Sequence, residues 1–508
     1  MTARQAGGEK RARRTEPSAA PQPLTDDDAL RLLRPVFSSA DIVVLAVSGG
    51  GDSTALMHLA TRAAPAFTAA HNGSGVRLRV ATVDHGLRAA SSAEAAKVAQ
   101  AAATLGLPHA VLTWSGAKPK TGLQAAARAM RHALLNEHAN KLAEVAAAET
   151  GETRRPRVVP RVVIATAHHL EDQAETLLMR LARGTGPAGL AGIRPTTTLH
   201  GHRWVRPLLS VPKARLLATL EAEGITWVED PTNADPHFER ARLRAMQPAL
   251  LEAGLTAPAL ALVARRQREA HEALRHAIDQ ALDADLRQHG VGTMSALDLE
   301  RWRARPTAIR YGMIGRLLRA HGGGHPPADL AQCEALGADI AAFVDASAVA
   351  PETARAPSLP PLSAPLARTL GGCQFRVHEG LLQVFRELGR GLPALAVTEG
   401  QAIAWDKRFG FRVSTNGLPN EQSALRIGAL GPAGRVQIET FRALDRSSLR
   451  PIAEGLPALW HGDEIVAHWW PSDEGDSYFL HQFKRITAKS WCLAPALRLD
   501  RQATDAPR

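Results

Sequence analysis

Residues 42–53 run IVVLAVSGGGDS, and TALMHLATRAA follows at helical spacing. Six apolar residues in a row fit a strand buried on both faces, and the glycines end it just before a helix begins. Outward from this stretch, VRLRVATVD (76–84), HAVLTW (109–114) and RVVIATA (161–167) repeat the strand signal, separated by Ala-rich helical stretches. Strands alternating with helices predict a parallel sheet covered on both faces. Residues 25–247 are therefore expected to form a Rossmann-like α/β domain.

The chain has 508 residues, more than one ordinary hydrophobic core serves, so several domains are expected. Residues 1–24 hold Lys10, Arg11, Arg13 and Arg14 without apolar periodicity and read as a disordered basic tail, with a transit peptide as the alternative. ETGETRRPR (149–157) reads as a surface loop. After Met246 the strand signals stop and Leu and Ala recur at helical spacing, so 248–348 reads as a helical domain. A Pro/Ala-rich linker (349–368) leads to a smaller β-containing C-terminal domain (369–508), where CQFRV and LLQVF flank His378, Glu379 and Gly380.

Lys and Arg total 61 against 50 Asp and Glu, a net charge of +11. Such a surplus attracts polyanions; because 52 of the cations are Arg and only nine are Lys, compositional drift is the competing account. No apolar run of about 18 residues or more is present, which argues against a membrane protein. Cys333, Cys373 and Cys492 are too scattered for a disulfide framework and fit a reducing cytoplasm. Oligomeric state is left open, a homodimer among the alternatives.

Ser48, Gly49, Gly50, Gly51, Asp52 and Ser53 form the turn between strand and helix. Glycines let backbone N–H groups point inward, and a helix N-terminus adds positive partial charge, so the turn predicts a phosphate or pyrophosphate cradle. It lacks the Gly-Lys-Ser/Thr ending of a Walker A loop. Asp52 is a candidate ligand for Mg²⁺, a hard cation that prefers carboxylate and phosphate oxygens. Asp84 and His85 end the second strand, at the sheet edge where open α/β folds bind ligands, although His85 could instead cap a turn. His168, Asp172 and Glu175 fall at spacings of four and three, which predicts one acidic helix face. A zinc site at His168 and Asp172 would lack an obvious third ligand. Glu171 reads either as part of this group or as a solvated carboxylate at a helix start.

SGGGDS resembles the signature of the PP-loop, or N-type, ATP pyrophosphatases. VDHGLR (83–88), AHHLEDQAETLLMRLARGTGPAGLAGI (167–193) and WVEDPTNADPHFERARLR (227–244) narrow the resemblance to bacterial tRNA(Ile)-lysidine synthetases. The resemblance implies that ATP adenylates the C2 oxygen of the wobble cytidine in a CAU-anticodon isoleucine tRNA. The ε-amine of free L-lysine then attacks C2, releasing AMP. Pyrophosphate leaves in the first step. At pH 7 the free lysine amine is offset by about 4.6 kcal/mol, so the site must hold a base or a desolvated pocket. Asp52, Asp84, His85, Asp172 and Glu175 are the implied catalytic group, with His168, Asp172 and Glu175 as candidates for lysine. The basic stretches with Arg128 and Arg131 in GLQAAARAMR, and with Arg240, Arg242 and Arg244 in ERARLRA, match the family and are candidate tRNA contacts. Solvated basic helix faces are the alternative.

Two positions depart from the family: Glu171 stands where Asp is usual, and Ala241 where Asn is common. The C-terminal domain is expected to grip tRNA by resemblance alone. A PP-loop thiolation enzyme is the competing assignment, but it generally needs reactive cysteines and none precedes Cys333. A non-catalytic nucleotide-binding regulator is the third.

Overall fold

The computed structural model describes residues 20–71, 75–87, 91–119, 121–149, 160–229, 236–237, 239–290, 293–324, 326, 328–348, 367–389, 391–397, 402–414, 425–438, 450–470, 478–481 and 487–492. The expectations for residues 1–19 of the basic tail, for ETGETRRPR beyond Glu149 and for the linker through residue 366 lie outside the described residues. So do Arg88 of VDHGLR and residues 230–235 and 238 of the third family segment. At the end of the expected tail, however, Leu24 is buried and its N–H donates to Thr219 Oγ1 at 2.8 Å, so the disordered reading does not extend to residue 24. The chain divides into two compact units, Met1–Glu269 and Ala270–Arg508.

In the first unit, α1 (Asp26–Phe37) is capped by Thr25, whose hydroxyl accepts the Asp28 N–H, and β1 (Ile42–Ala46) follows. The order then runs α2 (Gly51–Ala70), β2 (Arg77–Asp84), α3 (Ser91–Thr104), β3 (His109–Thr113), α4 (Leu123–Glu149), β4 (Val162–Ala165), α5 (Leu170–Ala182) and a single turn, α6 (Pro187–Leu190). It closes with β5 (Thr196–Leu199), β6 (His202–Val205), α7 (Lys213–Ala222), α8 (Glu239–Ala245), α9 (Gln247–Glu252) and the start of α10 (Ala257–Asp285).

The six strands lie in the order β3-β2-β1-β4-β6-β5, parallel except for the β5–β6 hairpin. The predicted α/β sheet is present, and β1 is central: Ile42 pairs with Arg77 on one side and with Val162 on the other. Alternate β1 residues serve the two faces. Val43 and Leu45 pack with α1 and α2 residues such as Leu33, Leu56 and Leu59, whereas Ile42 and Val44 pack with Leu135 and Ala139 of α4 and with Trp204. Covering both faces in this way forces an all-apolar strand and fixes its C-terminal end beside those of β2 and β4.

The second unit corrects the reading of 248–348 as purely helical. After α10 come β7 (Leu286–Gly290) and β8 (Met294–Asp298), which join β9 (Ala367–Leu370), β10 (Cys373–His378) and β11 (Leu381–Arg386) in a sheet ordered β7-β8-β11-β10-β9. β8 pairs with β7 in a local hairpin and, on its other edge, with β11, Leu297 opposite Leu382, so one of its two partners lies far away in sequence. Helices Thr307–His321 and Leu330–Ala348 pack in the same core through Leu317, Ile340 and Phe375. The first unit also extends to Glu269, beyond the expected boundary at 247, because Leu260 and Ala264 pack against Ala174 and Leu177 of α5. The β10–β11 hairpin turns at Glu379 and Gly380, as the flanking strand signals predict. Further antiparallel sheets follow, one with Leu425–Ala429 and Pro457–His461, the other with Ala402–Trp405 and Phe409–Ser414.

Asp406 is buried in this unit and accepts bonds from Arg386 Nε at 2.8 Å and Arg408 Nε at 2.7 Å. Removing one partner of such a group leaves buried charge uncompensated. Asp406→Ala should therefore destabilise the second unit by about 3–5 kcal/mol, read from its urea unfolding midpoint. An unchanged midpoint would show that the two guanidiniums do not depend on this carboxylate.

Candidate active site

The SGGGDS turn leaves the C-terminal end of β1 and enters α2. Gly49 has φ +88°, a region side chains avoid, and a Cβ there would lie 3.2 Å from Val98 Cγ2. At Gly51 an added Cβ would come 2.6 Å from Leu217 Cδ2, so the turn is closed in by neighbouring helices. Ser53 Oγ accepts the Ser48 N–H at 3.1 Å and donates to Gly50 O at 2.9 Å. The Val228 N–H donates to Gly49 O at 2.9 Å, which fastens the third family segment onto the turn. Gly50, at the N-cap of α2, offers no side-chain cap, and an uncapped helix start of this kind favours an anion.

Asp52 stands at the centre of a charge array. Its Oδ2 is 3.6 Å from His169 Nε2 and 3.8 Å from Lys213 Nζ, while its Oδ1 is buried without a hydrogen-bond partner. Burial alone would raise this carboxyl's pKa, but the His169 contact and the charges of Lys213 and Arg244 hold it below the usual range. His169 ends the β4–α5 turn and is buried; its Nδ1 lies 3.0 Å from Glu171 Oε2 and its N–H donates to Asp172 Oδ2 at 3.1 Å. Burial works against its charge, yet Asp52, Glu171 and Asp172 raise its pKa to about 10, so the ring is an imidazolium at neutral pH. Glu171 also accepts the Lys213 N–H at 2.9 Å. That contact places it inside the array, not on a solvated helix start.

Asp172 and Glu175 do share a face of α5, and both are buried. His168 does not join them on the helix: α5 begins at Leu170, and His168 lies in the preceding turn, its Nδ1 2.9 Å from Thr166 Oγ1. Burial first, then the charges of Arg206 and Arg128, outweigh Asp172 and push His168 down to about 4, so it is neutral near pH 7.

The ERARLRA arginines separate. Arg244 makes a two-pronged bond to Glu175, Nε to Oε1 at 2.6 Å and Nη2 to Oε2 at 3.2 Å. Arg240 lies 3.7 Å from Asp172 Oδ1 and 3.9 Å from Glu175 Oε2. Arg242 instead donates to the carbonyls of Pro236 and His237, at 3.0 Å each. Two of the three residues assigned to RNA from sequence therefore face the acidic helix. Ala241 between them is buried.

Asp84 and His85 keep to their own turn. Asp84 Oδ1 accepts the Gly86 N–H at 2.8 Å and Oδ2 accepts the Ser92 hydroxyl at 3.2 Å. Hydrogen bonds from Ser91 and Gly86 lower its pKa. Both His85 ring nitrogens are buried without partners, and the ring meets Trp114 edge-on at 6.1 Å. Among the described residues no hydrogen bond or ion pair joins either residue to Asp52, Asp172 or Glu175. Arg128 and Arg131 lie exposed on α4.

The sequence places His169 beside His168 at a strand end without giving it a role, and gives no sign of Lys213. An acid three residues after His169 is a capping pattern that could have flagged the first. Lys213 carries no local signal, being a single cation at a helix start. The array balances Asp52, Glu171, Asp172 and Glu175 against His169, Lys213, Arg240 and Arg244. Among the described residues no group of three or more His, Cys, Asp or Glu is arranged to hold a metal. A cation here would use Asp52 Oδ1 together with ligand oxygens.

Residues 24–154 and 157–250 match the PP-loop domain family. The chain is similar to the tRNA(Ile)-lysidine synthase of Methylobacterium nodulans, 46% identical over 293 residues that cover 58% of this chain and 79% of the relative. It is 39% identical over 374 residues to that of Bradyrhizobium diazoefficiens, covering 71% of this chain and 96% of the relative. With the enzyme of the same name from Ruegeria pomeroyi the identity is 36% over 424 residues, covering 83% and 87%. A PP-loop turn on a parallel sheet, an acidic α5 beside it and relatives matched over most of their length have one reading: the chain belongs to the tRNA(Ile)-lysidine synthase family.

Proposed function

We propose that this chain ligates free L-lysine to C2 of the wobble cytidine in the CAU-anticodon isoleucine tRNA, using ATP and Mg²⁺. Family membership supports the reaction class, a tRNA-modifying ligase that uses ATP. The observation that carries the site assignment is Asp52: one oxygen faces His169 and Lys213, the other is buried and unpartnered beside an anion cradle.

In this reading the cytidine O2 attacks the α-phosphorus of ATP; the O2–P bond forms, the bond to the β-phosphate oxygen breaks, and pyrophosphate leaves along the turn. The N–H groups at the start of α2 and the Lys213 ammonium offset the charge that builds there. Mg²⁺, when bound, would neutralise phosphate charge from Asp52 Oδ1. His169 fixes the Asp52 carboxylate and keeps the first turns of α2 and α5 together.

The ε-amine of lysine then attacks C2, the C2–O bond breaks and AMP departs. Asp172 and Glu175 are the groups suited to hold the incoming ammonium and take its proton. Arg240 spans them at 3.7 and 3.9 Å, beyond hydrogen-bonding reach, so an arriving ammonium replaces a loose ion pair and leaves the tight Arg244–Glu175 bond intact. Arg128 and Arg131 on α4, with Arg242 and the second unit, are proposed to meet RNA phosphates. Asp84 is assigned to holding the β2–α3 turn, and His85 to closing it over Trp114. The described cysteines do not favour the thiolation alternative: Cys333 and Cys373 are buried in the core of the second unit.

The purified protein with ATP, Mg²⁺, lysine and the CAU isoleucine tRNA should yield AMP, pyrophosphate and a lysine-dependent mass increase on the tRNA; no such increase would overturn the reading and leave a nucleotide-binding regulator. Asp52→Asn should lower pyrophosphate release at least 100-fold with an unchanged circular dichroism spectrum, and retained turnover would remove Asp52 from the chemistry. Asp172→Ala should raise KM for lysine about tenfold or more while tRNA affinity stays within about twofold, the loss expected for one charge-assisted contact. Equal damage to both measurements would make Asp172 a structural residue.

A further inference from the structure

Outside the charge array, the first unit contains a cavity of about 660 Å³ between α1, the start of α5, the β5–β6 hairpin, the β6–α7 connection and the first turns of α10. Its wall is largely apolar, with Leu32, Pro35, Val36, Leu170 and Leu262 among the lining residues. Its charged residues are Arg203, Arg206, Arg265 and Arg268, and among the described residues no Asp or Glu lines it, although Arg265 lies 3.9 Å from Glu269.

Arg206 is 9% exposed. Its Nη1 donates to Arg194 O at 2.9 Å and to Thr197 Oγ1 at 3.2 Å, both neutral acceptors, and its Nε has no partner. No ion pair reaches this guanidinium among the described residues. The contrast with Arg244, whose fork closes on Glu175, is direct. A buried guanidinium without a counter-charge is costly, and an anion entering the cavity would relieve that cost. On α10, Pro258, Ala261, Leu262, Arg265 and Arg268 present one helical face to the space, which places cationic ends along an apolar floor.

The charge excludes a cationic amino acid, so this is not where lysine sits. The volume is that of a small-molecule site and exceeds what an inorganic phosphate fills. An anion with a flat, largely apolar body fits both the four guanidiniums and the wall. We propose that this pocket takes one nucleotide of the RNA substrate, distinct from the reacting cytidine, with its phosphate at Arg206 and its base against Leu170 and Leu262. The proposal rests on the assignment of tRNA as substrate. Pro212, at the pocket, is adjacent to Lys213 of the charge array, so a nucleotide bound here would press on the segment that carries that ammonium.

The test uses the full chain with the isoleucine tRNA transcribed with 4-thiouridine. Irradiation should crosslink the RNA to peptides from 206–212 or 258–268. Leu262→Trp, which fills the pocket, and Arg265→Glu, at its exposed rim, should each weaken tRNA binding about tenfold while ATP affinity stays constant. Arg265→Glu should also reduce the salt slope of binding by about one. Cytidine monophosphate, titrated with the ATP site saturated, separates the two sources of the same chemistry. Binding of the mononucleotide that Leu262→Trp abolishes, with tRNA affinity unchanged, would overturn RNA as the source. Unchanged tRNA affinity in both variants and no crosslink in either segment would overturn the pocket itself. Because these readouts need no turnover, a failure to form lysidine would leave them standing and count only against the ligase reading.

Discussion

The contact of the His169 imidazolium with Asp52, Glu171 and Asp172 is the constraint on which the site depends. It joins the first turn of α2, at the glycine turn, to the first turn of α5, which carries the acidic face. Each of these helices starts beside the other only because β1 and β4 are parallel neighbours in the sheet. Like-charged carboxylates brought this close repel one another unless a cation is held among them. His169, fixed by its own backbone bond to Asp172, supplies one cation that cannot swing away. Lys213, Arg240 and Arg244 supply the others from α7 and α8.

Much of this was legible in the primary structure and the remainder was not, for identifiable reasons. β1 could be read because a strand buried on both faces must be apolar throughout, and the glycines after it have few other uses. The hairpin at Glu379 and Gly380 announced itself in the same way. β8 is hard to read because its local partner β7, LRQHG, carries no apolar alternation, and its other partner, β11, lies on the far side of a Pro/Ala-rich stretch. Spacing alone puts His168 on the same helix face as Asp172, whereas the helix starts at Leu170, after the N-cap at His169. The roles of Arg240 and Arg244 could not be read from alternation: a run of arginines looks the same whether it meets phosphates or carboxylates.

The surplus of arginine divides accordingly. Some of it is structural, as at Asp406, where two buried guanidiniums share one carboxylate. Some neutralises the acidic face of α5. A third part, Arg128 and Arg131 on α4 with Arg203, Arg206 and Arg268 around the 660 Å³ cavity, has no acidic partner among the described residues and is the portion available to a polyanion; Arg265 at the cavity rim is 3.9 Å from Glu269. Net charge therefore overstates the binding surface, and the useful quantity is the arginine left after internal pairing.

The β8–β11 pairing has a consequence for biosynthesis. The first unit is complete once the ribosome has delivered the chain to about Glu269, but the sheet of the second unit cannot close until Arg386 has emerged. During that interval the helices that will cover it hold apolar faces with nothing to bury them against, a state prone to association. Joining two chain segments costs only about 0.6 kcal/mol more for each doubling of the residues between them, so the closing step is little affected by how many residues separate Ala348 from Ala367. Evolution is thus free to lengthen or shorten that stretch, while the order in which the two units mature is set by the topology.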